Sequence, residues 1–138
     1  MTATHAPMPG IDVVTSPIDV EFTAPMRGLG PHTAFRLERL GGAEGLYALR
    51  ANEADLRLFL LDPRSGGISY EPIFSADDHA EIGATESGSF HVFVVANPAD
   101  DGVHLNLRAP VIIHAKTGRA AQIILDDQAY PVRARLGG

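Results

Sequence analysis

The sequence predicts a mostly all-β fold: a compact, antiparallel, β-barrel-like single domain with one short helix around residues 76–82. Three observations carry this. The apolar residues come in short runs, most with a period of two. Turn signals separate the runs at intervals of about 8–12 residues, the spacing of barrels and sandwiches. Only one stretch has both a helix start and a helix stop.

Taken in order, residues 1–16 contain Pro7, Pro9 and Gly10, with Pro17 next, and are expected to be a poorly ordered tail. The β domain is expected over 17–138. Ile18-Asp19-Val20-Glu21-Phe22 alternates cleanly, and Phe35 to Leu40 begins the same way. Gly41-Gly42 and Gly45 mark a turn before the strand Leu46–Leu49. Leu56 to Leu61 is a nearly continuous apolar strand, ended by Asp62-Pro63. Ile68 to Phe74 is a further strand candidate, with Pro72 placing it at an edge or bulge.

Ser75 to Gly83 is the helix: Ser75 caps it, acidic residues crowd its first turn, and Gly83 ends it. Phe90 to Ala96 is apolar on both faces and predicts a central, buried strand. Asn97 to Gly102 reads as a turn. The strand His104–His114 follows, then Lys116-Thr117-Gly118-Arg119 as a turn needing positive φ at Gly118, then Ala121–Leu125. Asp126-Asp127-Gln128 turns the chain into a last strand, Tyr130 to Leu136.

The 138 residues are long enough for a core without staples, and there is no cysteine, which removes disulfides and thiolate metal sites. No stretch approaches the ~20 apolar residues of a membrane span. The N-terminus has no basic region followed by an apolar one, so no secretory signal is expected. The formal net charge is -6, unevenly placed. Residues 65–107 hold Glu71, Asp77, Asp78, Glu81, Glu86, Asp100 and Asp101 and no Lys or Arg. Such a block repels nucleic acid and favours a basic partner, or else is a solvated face that aids solubility.

Little in the residues points to chemistry. The six histidines are scattered, with no metal-ligand spacing. Asp77-Asp78-His79 is better explained as an acidic helix start than as ligands. No nucleophile elbow, phosphate loop or dinucleotide fingerprint is present. Few aromatics, no tryptophan and the acidic excess disfavour direct RNA binding. No cofactor and no metal are expected. Pro110, inside an apolar strand, removes a ladder donor, so the strand there must be an edge or a bulge. Asn106 and Arg108 share one side of it, opposite Leu105 and Leu107. This is either a docking rim or a structural bulge that only curves the sheet.

One segment is more specific than the rest. Asn106-Leu107-Arg108-Ala109-Pro110-Val111-Ile112-Ile113, a basic turn, Gln122-Ile123-Ile124-Leu125 and Tyr130 together resemble the C-terminal signature of the FliW family of flagellar assembly factors. Asp62-Pro63 after an apolar strand also matches, as does Asn97-Pro98 where family members break before the signature strand. The likeness runs from about Ile18 to Leu136. Two positions depart from the family. Its Gly-(Leu/Ile)-Pro-Gly-Phe stands here as Gly28-Leu29-Gly30-Pro31-His32, and its Leu-Gln-Ser as Leu49-Arg50-Ala51.

The resemblance implies a cytoplasmic, non-enzymatic protein. Such a protein binds the translational repressor CsrA and antagonises its RNA binding. It also binds flagellin, in a partner switch that controls flagellin synthesis. No direct nucleic acid, membrane or small-molecule substrate is implied. Two surfaces are candidates: an acidic face of Glu71, Asp77, Asp78, Glu81 and Glu86 toward CsrA, and the signature edge of Asn106, Arg108 and Pro110 toward flagellin or CsrA. Asp62, Pro63, Gln122 and Tyr130 are structural signature positions. The competing readings are a β-barrel binding a small molecule among Tyr47, His91 and Gln122, and a small hydrolase with a dispersed His and carboxylate site.

Overall fold

The structure is a computed structural model that describes residues 18–26, 31–40, 45–52, 54–64, 70–83 and 90–135. The expected tail, Gly28 to Gly30, Ile68, Glu86 and Leu136 lie outside the described residues. Strands β1 (Ile18–Phe22), β2 (Ala34–Arg39), β3 (Leu46–Ala51), β4 (Arg57–Leu61), β5 (Phe90–Ala99), β6 (Gly102–His114) and β7 (Arg119–Gln122) form a closed barrel. Helix α1 (Ala76–Glu81) precedes β5, and a short β8 (Ala134–Arg135) pairs with the start of β6.

Each of the seven barrel strands pairs with its neighbours in sequence, and β5 closes onto both β4 and β6. All these pairs are antiparallel. The seam between β1 and β7 is parallel, with Glu21 opposite Arg119 and Phe22 opposite Ala120. Topology requires this. In a meander with an odd number of strands, the first and last run the same way, so closure leaves one parallel pair.

Period-two patterning fills the interior. Val20, Phe22, Phe35, Leu37, Tyr47, Leu49, Leu60, Phe93, Val111 and Ile113 form the central cluster. Within it, Phe22 meets Phe35 edge-on at 5.5 Å and Tyr47 meets Phe93 at 5.3 Å, the favoured aromatic geometry. The alternate residues of β5 and β6 face outward and are also covered. Ile112 packs with Ile82 and Ala121 beneath α1, beside Phe74 and Val92. Val94, Leu105 and Leu107 pack with Tyr70, Tyr130 and Ala134. This double coverage explains why Phe90 to Ala96 and Ala109 to Ile113 are apolar on both faces.

Three expected elements differ, and one of the two alternatives for Pro110 is excluded. Tyr70–Phe74, the described part of the candidate strand over Ile68–Phe74, is not a strand. Pro72 lacks an N–H, and the groups of Ile73 are taken by a side chain: Ile73 N–H donates to Gln128 Oε1 at 3.0 Å and Gln128 Nε2 donates to Ile73 C=O at 2.9 Å. The chain does not turn at Asn97-Pro98. β5 continues to Ala99, with Pro98 opposite Val103, and the hairpin loop is Asp100-Asp101. β4 pairs only with Val94 to Ala96, so Pro98 has no ladder on that side to break. The last strand shrinks to Ala134–Arg135. Pro110 is not on an edge: β6 lies between β5 and β7 there, and Pro110 is among the fully buried residues.

Candidate partner-binding surface

The second alternative for Pro110, a bulge, is what the sheet contains. Phe93 pairs with Val111 and Val95 with Asn106, so Leu107, Arg108, Ala109 and Pro110 lie opposite Val94 alone. The backbone groups this mismatch releases are recaptured locally. Asn106 Oδ1 accepts from the N–H groups of Arg108 and Ala109, both at 3.1 Å. Gln122 Nε2 donates to Ala109 C=O at 3.4 Å. Pro110 C=O accepts from Ile123 N–H at 2.9 Å, Arg108 C=O from Leu125 N–H at 2.8 Å, and Pro131 C=O from Leu107 N–H at 3.1 Å.

Tyr70 Oη donates to Leu107 C=O, and its ring meets Tyr130 edge-on at 4.8 Å. Burial, with Tyr130 nearby, pushes the Tyr70 hydroxyl well above its usual range. Asn106, Pro110, Gln122 and Tyr130 thus converge on one irregularity. Arg108 is the exposed side chain of the bulge. Pro110, fully buried, shapes the rim and offers it no contact surface.

Asp62 and Pro63 follow β4. Asp62, 4% exposed, accepts from Arg64 N–H at 3.0 Å, Arg64 Nε at 3.3 Å and Arg64 Nη2 at 3.1 Å. The buried carboxylate is therefore satisfied by the turn it initiates. The altered Arg50-Ala51 positions lie in β3, with Arg50 exposed 3.7 Å from Glu38 on β2 and Ala51 opposite Phe35.

Of the candidate acidic face, Glu71, Asp77, Asp78 and Glu81 occupy the 70–83 stretch laid over the outside of β5 and β6. Ser75 and Asp78 form a reciprocal capping box: Ser75 Oγ accepts from Asp78 N–H at 3.1 Å, and Asp78 Oδ2 accepts from Ser75 N–H at 2.9 Å. Gly83, at φ +76°, lets the chain leave the helix. Ile82 pins this end to the barrel. Glu81 Oε2 accepts from Thr23 Oγ1, tying the helix to the end of β1. Glu71 and Asp77 are exposed. The proposed acidic face is therefore of two kinds: Asp78 and Glu81 accept hydrogen bonds that serve the fold, while Glu71 and Asp77 stand exposed. Asp78 and Glu81 share a groove; Glu71 and Asp77 do not line it.

The residues that would build an interior ligand site are dispersed. Tyr47 is in the barrel core, His91 lines an outer cleft of about 230 Å³ with Asp62, Tyr70 and Phe74, and Gln122 holds the bulge. Among the described residues, no helix is long and apolar enough to cross a membrane.

Fold and site define a class: a filled seven-stranded meander barrel whose signature residues build a bulge and whose charge sits on an outer covering. The chain belongs to the FliW family, whose model, described as "FliW protein", matches residues 5–136. It is 35% identical over 82 residues to the flagellar assembly factor FliW of Syntrophotalea carbinolica, covering 59% of each chain. It is 31% identical over 86 residues to the flagellar assembly factor FliW 2 of Desulfotalea psychrophila, covering 62% of this chain and 57% of that one. These matches span less than two thirds of the relatives' own length. A crystal structure of the flagellar assembly factor FliW superposes with a TM-score of 0.78 at 24% identity, over 86% of this chain and 84% of the other. That likeness carries the fold.

Proposed function

We propose that this protein is a non-enzymatic flagellar assembly factor that acts in the cytoplasm. It binds CsrA, antagonises that repressor's RNA binding, and alternatively binds flagellin. Family membership supports the flagellar role. The observation that carries the CsrA reading is the acidic stretch on the outside of β5 and β6, where Glu71 and Asp77 stand exposed. An RNA-binding repressor must present positive potential. An acidic face steers toward it and disfavours RNA phosphates nearby. For flagellin, the exposed Arg108 on the bulge is the candidate contact.

Calorimetry with purified CsrA at two salt concentrations tests the first partner. Binding that weakens with salt is expected, and the Glu71→Lys, Asp77→Lys pair should weaken it by about tenfold, the size of a few lost rim charges. No binding by the wild type would refute the CsrA reading. Full affinity in the folded double variant would refute the acidic face. Arg108→Ala tests the second partner without disturbing the Asn106 hydrogen bonds. Undiminished flagellin binding would remove Arg108 from that surface.

A further inference from the structure

A groove lies between α1 and the chain that continues β7. Its walls include Thr23, Ala24, Asp78, Glu81, Gln122 and Ile124, and it encloses about 310 Å³. One wall is a strand edge. Thr23 N–H donates to Ala120 C=O at 2.9 Å, the last link of the parallel seam. Past Thr23, β1 bends away, and Pro25 has no N–H to continue the ladder. The other chain keeps its pairing with β6 beyond the end of β7. Ile123 and Leu125 direct their N–H groups to β6, at Pro110 and Arg108. Strand alternation then turns the N–H and C=O of Ile124 the opposite way, into the groove. Among the described residues no strand pairs with Ile124 on that side.

The facing wall carries charge of one sign. Asp78 and Glu81 line it, and no lining residue is basic. The Thr23 hydroxyl holds Glu81 Oε2 and so orients the carboxylate. A strand edge facing carboxylates a groove's width away is suited to one kind of occupant. Main-chain groups of an added strand meet the edge, and an alternate side chain reaches across. That side chain must be cationic.

We propose that this groove receives an extended segment of a protein partner, added as a strand beside Ile124, with a Lys or Arg side chain directed at Glu81 and Asp78. The inference rests on the CsrA reading, since it names how a basic partner engages the acidic stretch. Its test uses the full chain, labelled for amide NMR and titrated with CsrA. Ile124 N–H exchange should slow at least about tenfold in the complex, as for any amide entering a ladder. Ala24→Trp, which fills the groove from an exposed position, should weaken CsrA binding at least about tenfold. Glu81→Gln, which keeps an acceptor for Thr23, should weaken it by a smaller factor.

Full affinity in folded Ala24→Trp with unchanged Ile124 exchange would overturn the groove and leave the CsrA reading standing. If the wild type does not bind CsrA, that reading falls, and an alternating valine–lysine pentapeptide decides the groove. A shift at Ile124 that a control pentapeptide with glutamate in place of lysine does not produce retains it. No shift at Ile124 overturns it.

Discussion

The side-chain carbonyl of Asn106 stands 3.1 Å from the backbone nitrogen of Ala109, three residues on, within the bulge of β6. Ala109 is 6% exposed, so its N–H has little access to water if Asn106 is removed. Asn106→Ala should destabilise the fold by about 1–3 kcal/mol, the cost of an unsatisfied buried donor. Asn106→Asp, which keeps the acceptor, should lose less. Urea unfolding of the two variants checks this. Equal midpoints for Asn106→Ala and wild type would mean that the bulge stands without its side-chain hydrogen bonds.

Ser75 and Asp78 make a second, separable prediction. Ser75→Ala should cost about 1 kcal/mol, as for other N-caps. Asp78→Lys should cost at least as much, since it removes the acceptor for Ser75 N–H and sets a cation in the first turn. Asp77→Lys should leave thermal stability nearly unchanged. Melting temperatures of the three variants decide it. A stability loss for Asp77→Lys equal to that for Asp78→Lys would contradict the division of the acidic residues into those that serve the fold and those that do not.

These two sites also show what could be read before the structure. Ser75 and Asp78 were legible because capping is local: a serine, acids within one turn and a terminal glycine sit within nine residues. The bulge was half legible. Pro110 announced an interruption, but whether β6 had a neighbour there depended on β7, which is set by closure of the whole barrel. The strand expected through Pro72 failed for a related reason. Its Ile73 hydrogen bonds go to Gln128, 55 residues away, a partner no local pattern indicates. The parallel seam followed from the strand count, and that count depended on Tyr70–Phe74 not being a strand. The groove beside Ile124 was invisible, because it exists where one strand ends and its neighbour continues.

At the β5–β6 hairpin, His104 Nε2 lies 2.8 Å from Asp101 Oδ1. This hydrogen bond is the chief cause holding the Asp101 carboxyl below its usual range. A carboxyl depressed in the folded state favours folding above its unfolded-state value, and the benefit is lost as pH falls through the lower, folded-state value. Acidification through that lower value should therefore remove the stabilisation this pair contributes to the hairpin. Following the Asp101 side-chain carboxyl by NMR should give a midpoint below that of an exposed aspartate, and His104→Ala should raise it. An unchanged midpoint in His104→Ala would show that the histidine is not the cause.

Two glycines with nearly equal backbone angles separate conformational strain from close approach. Gly118, at φ +78°, sits in the β6–β7 turn, and a Cβ there would lie 2.2 Å from the Asp19 carbonyl oxygen. Gly83, at φ +76°, ends α1, and its Cβ would meet only Arg119 Nη1 at 3.9 Å. Both alanine variants bear the left-handed penalty of roughly 1–2 kcal/mol. Gly83→Ala should show little more than that. Gly118→Ala must also push the turn off β1, where Gly118 C=O accepts from Glu21 N–H at 3.0 Å. Its loss should exceed that of Gly83→Ala by about 2 kcal/mol or more, in the range of mutations that disrupt packed backbone. The extra loss should localise at the parallel seam, with faster amide exchange at Glu21 and Thr23 in Gly118→Ala alone. Equal destabilisation by the two substitutions, with the seam amides equally protected, would mean that backbone angle and not contact with Asp19 fixes the glycine at 118.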